Sequence, residues 1–340
     1  MEGLEKAIRK MTEEMPSLDM REHESMREHC SFKVGGEVRA YIEPKDIWEM
    51  SKVFFYLHMC DVMPLVIGKG TNIIIPEEGL DICVVCTAGL SKLRMGETEN
   101  TVYAEAGVSL ARLAQFAQQN GLAGLEFASG IPGSVGGAVM MNAGAYGGEM
   151  KDVIDSVVMY YLTEQALCEV KGEDCGFDYR KSGFARVPCA ITGAVFKLTP
   201  DDPEAIAARM RELNDKRRKS QPLDLPSAGS AFKRPVGGYA AALIDEAGLK
   251  GYTVGGAQVS EKHAGFVVNR GDASYDDIVE LMDHVRRTVY EKSGITLEPE
   301  IKIYPKGMIL YDDWKVRRQG IMDEMLDSAK AKMEQADSQK

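Results

Sequence analysis

Seven glycines and one proline fall within the nineteen residues GIPGSVGGAVMMNAGAYGG, from Gly130 to Gly148. Glycine loses more conformational entropy on folding than any other residue, so such a cluster marks positive φ or backbone pressed against a ligand. The glycines alternate with Ile131, Val135, Val139, Met140 and Met141, which argues against a linker or a polar disordered tract. Small residues in succession also expose backbone N–H groups that can hold a pyrophosphate without any lysine. The run matches neither G-x-G-x-x-G after a strand nor G-x-x-x-x-G-K-[ST]. Gly68, Lys69, Gly70, Thr71 and Asn72 form a second turn of this kind directly after the apolar PLVI. Alone, a five-residue turn reads most plainly as a connector.

The other residues able to do chemistry are scattered. Arg180, after Tyr179, reads equally well by itself as a surface charge. In TLEPEIKI, strand alternation sets Glu298, Glu300 and Lys302 on one face and Leu297, Ile301 and Ile303 on the other, for which a solvated polar face is the plainer reading. Ser230, within AGSAF, reads as a loop hydroxyl. Arg217, Arg218 and Lys219, with Lys233 and Arg234, have the charge to hold a diphosphate. For Arg217 and Arg218 a solvated helix end is the preferred reading. Cys83 and Cys86 form a C-x-x-C in DICVVC, where residues three apart on a strand point to opposite faces, so two buried thiols are expected rather than a metal or redox pair. The five histidines are too widely spaced for a zinc site, and no metal is expected.

The elements that must carry these residues follow from periodicity. Residues 1–22 read as an amphipathic helix, SFKVGG and VRAYIEP as strands about Gly35-Gly36, and Asp46 caps a helix over IWEMSKVFFYLHMC. Strands are expected over MPLVIGKGTNIIIP, LDICVVCTAGL, TVYAEAG, 153–162, 166–171 and 189–198, with a helix over SLARLAQFAQQNG stopped at Asn120-Gly121. Helices over 203–219, 239–247 and 275–293 come next, the last opened by a Ser274/Asp277 capping box, and then strands near 252–258 and 264–269 and over TLEPEIKIY. Strands interleaved with helices, some of them hairpin-like, indicate an α+β fold. With 340 residues, a net charge of −11 and 44% hydrophobic residues, the chain has the composition of a soluble protein of about two domains and of no nucleic-acid binder. The opening MEGLEKAIRKMTEEM has no apolar signal region and no stretch is long enough to span a membrane, so no membrane partner and a cytoplasmic location are expected.

Gly68–Asn72, GIPGSVGGAVMMNAGAYGG, Tyr179-Arg180 with Ser182-Gly183-Phe184, PSAGSAFKRP, AALIDEAGLKG, AQVSEKHAGFVVN and LEPEIKI occur in one order between about Ser31 and Tyr304. Together they resemble the UDP-N-acetylmuramate dehydrogenase family, in its shorter subtype. The resemblance implies a two-lobed FAD-binding domain of the vanillyl-alcohol-oxidase (PCMH) type at 26–200, with lobes about 26–92 and 93–200. It also implies an α+β substrate domain at 201–305, whose last strand can pack back on the FAD domain. A helical segment at 1–25 and a charged helical appendix at 306–340 flank them. The implied reaction takes reducing equivalents from NADPH through non-covalent FAD to the enolpyruvyl ether of UDP-N-acetylglucosamine, giving UDP-N-acetylmuramate for peptidoglycan synthesis. A monomer is expected.

FAD contacts are implied at Gly68, Lys69, Gly70, Thr71 and Asn72, and at Ser129, Gly130, Ile131, Pro132, Gly133, Ser134, Gly136, Gly137, Asn142, Gly144, Ala145 and Tyr146. Arg180 and Glu300 are implied to stabilise the enolic intermediate and Ser230 to donate the proton, with Tyr179, Lys233 and Arg234 on the substrate. Lys69 stands where many relatives carry a small or polar residue, a departure confined to one FAD contact.

Overall fold

The computed structural model describes residues 2–308; the expected appendix lies outside them from residue 309 onward. The first lobe is built on a four-stranded sheet in the order 20–25, 37–42, 80–86, 65–67. Its first pair is antiparallel and the remaining pairs are parallel. Helix α1 (Glu2–Glu14) packs beside α3 (Ile47–Met59) on one face, and the single turn α2 (Met26–His29) comes directly after the first strand. Asp46 caps α3 by accepting the Glu49 N–H at 2.8 Å. In strand 80–86, Cys83 packs into the core beneath α1 and α3, and Cys86 into the core on the opposite face. Burial pushes the Cys83 thiol up to about 12, and the described residues contain no group of three or more potential metal ligands.

Two expectations fail in this lobe. The N-terminal helix covers 2–14 and not 1–22 or 1–25, because Pro16 disfavours helix at Met15 and the polar stretch Met20–Ser25 becomes an edge strand paired with Glu37–Ile42. SFKVGG is no strand: Ser31 and Phe32 form a turn, and Lys33 sits at φ 57°.

The second lobe is a five-stranded antiparallel sheet in the order 166–171, 154–161, 189–197, 101–105, 93–95. Helix α4 (Leu110–Gln119), capped by Ser109, and the short α5 (Val135–Met141) cover it. Helix α6 (Pro203–Ser220) also belongs here. Ile206 is buried, Met210 packs against this lobe's core, and Arg209 is paired with Glu126 at 2.7 Å. The division from the last domain therefore falls near Gln221-Pro222 and not at 201.

That last domain holds the three-stranded antiparallel sheet 253–254, 257–259, 267–269 against α7 (Ala240–Glu246) and α8 (Tyr275–Ser293). The Ser274/Asp277 capping box opens α8, and Gly294 at φ 71° ends it. The expected strand over TLEPEIKIY is reduced to Lys302–Ile303, since Pro299 has no N–H to donate to a ladder. Lys302 and Ile303 pair in parallel with Ile73 and Ile74 of the first lobe.

Candidate active site

The two glycine segments meet. Gly68–Asn72 comes directly after strand 65–67, and the Ser134 hydroxyl packs so closely on Gly68 that a Cβ there would collide with it. Gly70 turns at φ 60° with the His29 carbonyl against its α-carbon, a place only glycine fits. Lys69 is exposed, while Thr71 and Asn72 are half-buried. Gly133, Ser134 and Gly136 lead into α5, which is laid on the second sheet by hydrogen bonds from Val135 N–H to the Val108 carbonyl and Gly136 N–H to the Ala106 carbonyl, both 2.9 Å. Gly137 is different: it is an exposed helical residue, and an added Cβ would meet nothing nearer than the Ser134 hydroxyl at 4.0 Å. The protein itself does not require glycine there.

Two buried polar atoms beside this run have no partner among the described residues, Ser134 Oγ and Arg217 Nη1. Arg217 was expected at a solvated helix end. Instead α6 turns it inward, its Nε donating to Gln221 Oε1 at 2.7 Å and its guanidinium lying against Gly130. Burial draws its pKa down. The spacing Ile206, Met210, Asn214, Arg217 places it on the packed face of α6, a signal legible in the sequence. Arg218 remains exposed and pairs with Asp215. Ser129 donates to the Glu126 carbonyl at 2.8 Å and accepts from Asn214 at 3.2 Å. Ile131 packs on the second-lobe core and Pro132 is exposed. Glycine backbone, an unpartnered hydroxyl and one unpartnered guanidinium nitrogen suit a flat ligand with a pyrophosphate, as FAD is.

The run ends in a small hairpin, Gly144–Ala145 against Gly148–Glu149, with Tyr146 at φ 53° in its turn. Arg180 Nη2 donates to the Gly144 carbonyl and its Nε to Glu300 Oε1, each at 3.0 Å. The two side chains are 20% and 14% exposed, and they join the second lobe to the segment that leads into strand 302–303. Burial raises the Glu300 pKa despite the guanidinium beside it. Arg180 itself sits at φ 54°, a left-handed conformation that costs a non-glycine residue about 1–3 kcal/mol and persists only where its surroundings impose it.

Glu300 is aligned by backbone. Its N–H donates to the Ala231 carbonyl at 2.9 Å, and its carbonyl accepts from Asn72 Nδ2 at 3.1 Å. The exposed Ser230 thus lies one residue from a strand-like contact with Glu300. Tyr179 Oη accepts the Arg234 N–H at 3.0 Å, Lys233 pairs with Glu298, and the Arg234 guanidinium stacks on Tyr239 at 3.8 Å. Arg180, Glu300, Ser230, Tyr179, Lys233 and Arg234, remote in sequence, therefore gather around the end of the glycine run.

Comparison with known proteins identifies the family of this fold. A family model described as an FAD binding domain matches residues 38–163, across both lobes, and one described as UDP-N-acetylenolpyruvoylglucosamine reductase, C-terminal domain, matches 221–304. The UDP-N-acetylenolpyruvoylglucosamine reductase of Agathobacter rectalis is 43% identical over 308 residues, covering 87% of this chain and 97% of the relative. That of Caldanaerobacter subterraneus subsp. tengcongensis is 44% identical over 282 residues, covering 83% and 92%. The crystal structure of the reductase (MurB) from Thermus caldophilus superposes with a TM-score of 0.71 at 33% identity, covering 85% of this chain and 99% of that one. The architecture is the two-lobed α+β FAD-binding fold of the PCMH type, with an α+β domain appended.

Proposed function

The chain belongs to the UDP-N-acetylenolpyruvoylglucosamine reductase family, and from that premise we propose that it reduces the enolpyruvyl ether of UDP-N-acetylglucosamine to UDP-N-acetylmuramate, with NADPH and FAD, in cytoplasmic peptidoglycan precursor synthesis. The observation that carries the reading is the Arg180–Glu300 pair at the mouth of the glycine-lined cradle, with Ser230 one residue from the backbone that holds Glu300. FAD between Gly68–Asn72 and the Ser129–Tyr146 segment would accept reducing equivalents from NADPH and supply them to the terminal vinyl carbon of the substrate.

The protein's own groups manage the charge that this creates. Electron density moves onto the substrate carboxylate as an enolate, and the planar Arg180 guanidinium opposes it. Burial favours the neutral form of Glu300, and in that form its carboxyl would donate a hydrogen bond to the enolic oxygen. Fixed donors of this kind are worth about 3 kcal/mol each. Ser230 delivers a proton to the α-carbon; serine is a weak acid, so its alkoxide must be stabilised or reprotonated as it forms. Lys233, Arg234 and Tyr179 bind the UDP diphosphate, and NADPH occupies the same cleft in alternation.

The half-reactions test this separately. NADPH is expected to bleach the bound flavin, and the enolpyruvyl substrate to restore its colour. Ser230→Ala should bleach normally but reoxidise about 10²-fold or more slowly. Reoxidation of that variant at the parent rate removes Ser230 from its role, and a protein unable to bind FAD removes the whole reading.

A further inference from the structure

Asn142 stands inside the glycine-rich run, where an FAD contact was expected, yet its side chain is fully buried and bonded to protein. It ends α5 in the left-handed region, at φ 45° and ψ 55°, and is 0% exposed. Its Nδ2 donates to Glu149 Oε2 at 2.8 Å and to the Asp178 carbonyl at 3.0 Å. Its Oδ1 accepts the Lys151 N–H at 2.9 Å. Both donors are thus spent on protein, and the buried amide oxygen is turned onto the Lys151 N–H.

The Asp178 carbonyl serves a second donor. It accepts the Lys181 N–H at 3.2 Å, closing a four-residue turn whose third member is Arg180 at φ 54°. A turn with positive φ at that position normally takes glycine. An arginine stays there only while neighbouring bonds hold the turn shut. Asn142 holds it at the carbonyl that closes it. On the other side Arg180 reaches the Gly144 carbonyl, in the hairpin whose second arm carries Glu149, the other acceptor of the Asn142 amide.

We propose that Asn142 is a positioning residue for Arg180. It ties the Asp178–Lys181 turn to the Gly144–Glu149 hairpin, so that the guanidinium meets Glu300 across the mouth of the cradle. The proposal rests on the reductase reading above, because it assigns Asn142 to the half-reaction in which Arg180 acts.

Asn142→Gly isolates the effect: glycine keeps the left-handed backbone without strain and deletes only the side chain. The variant should retain FAD with the parent's spectrum and be reduced by NADPH within about threefold of the parent rate. Its reoxidation by the enolpyruvyl substrate should be roughly tenfold or more slower, with the loss in kcat and little change in KM. In the resting holoenzyme the Lys181 amide should exchange with deuterium about tenfold faster. In an Arg180→Lys background the same change should slow reoxidation less than about twofold, because the group it serves is gone.

Parent-like reoxidation of Asn142→Gly, in a preparation whose parent turns over, would overturn the proposal and leave the reductase reading standing. A parent that the substrate does not reoxidise would overturn both. Loss of FAD would make Asn142 a cofactor residue and equally end the proposal. Should the glycine variant not fold, Asn142→Asp, which keeps the acceptor for Lys151 and loses the two donors, is read in its place. Failure of both to fold would assign Asn142 to the fold as a whole and not to Arg180.

Discussion

Glu300 is a carboxyl whose burial outweighs the cation beside it, and that has a measurable sign. Its folded pKa lies above the ordinary 4.5. The stability it contributes is therefore fully present below about pH 4.5 and is lost as pH rises through the raised value. Relative to the parent, Glu300→Gln should gain stability across that window, as read from urea unfolding between pH 4 and 8. A difference growing in the parent's favour with pH would contradict the assignment. Individual residues were the least legible part of the sequence. Arg180 and Glu300 carry no local mark of their pairing, since 120 residues separate them. Strand alternation put Glu298 and Glu300 on one solvated face, whereas Glu298 is 70% exposed and Glu300 14%. Asn142 reads in the sequence as one more FAD contact of the glycine run, because nothing local announces a side chain bonded to a distant turn.

Among the elements, α5 tests whether the cradle was built for a ligand. Glycine in a helix costs about 0.8–1 kcal/mol relative to alanine, and an alanine Cβ at Gly137 would meet no atom beyond its chain neighbours and its own helix backbone closer than 4.0 Å. Gly137→Ala should stabilise the apoprotein by up to about 1 kcal/mol and weaken FAD binding by about tenfold or more. Unchanged flavin affinity, measured by fluorescence titration, would mean that the exposed face of α5 is not part of the cradle. Helix starts were legible because Asp46, Ser109 and Ser274 bond to amides within their own first turn. Strand 20–25 escaped notice because MREHES has no apolar alternation, and edge position demands none. TLEPEIKIY failed the other way: its alternation is strand-like, but its backbone bonds are split between 231–233, through Glu298 and Glu300, and 72–74, through Lys302 and Tyr304.

At the scale of the molecule, the last domain shares its core with the first lobe. Phe32, Val34 and Ile74 of the first lobe pack into the cluster formed by Phe232, Ile278, Leu281 and Val285. Ser31 Oγ donates to the Ser227 carbonyl at 2.7 Å, and Asn269 Nδ2 to the Phe32 carbonyl at 3.0 Å. Phe32→Ala should cost about 3–5 kcal/mol and lower the melting of the whole chain in one calorimetric transition. Two separate transitions, with only one displaced, would show the cores to be independent. The α+β class was readable from periodicity, and Pro222 and Pro226 mark a break after α6 in the sequence itself; which unit α6 joins was not readable, since it depends on which surface Ile206 and Met210 meet. The bond from Asn72 to the Glu300 backbone spans 228 residues. At ribosomal rates that interval takes roughly 10–45 s. A nascent chain thus holds both glycine segments complete, with Ile73 and Ile74 as an unpaired edge, well before Glu300 emerges. The chain is born without the partner of Arg180, and the proposed site closes only when residues 300–303 are made, so a ribosome that stalls before them releases a nearly complete protein with that site unfinished.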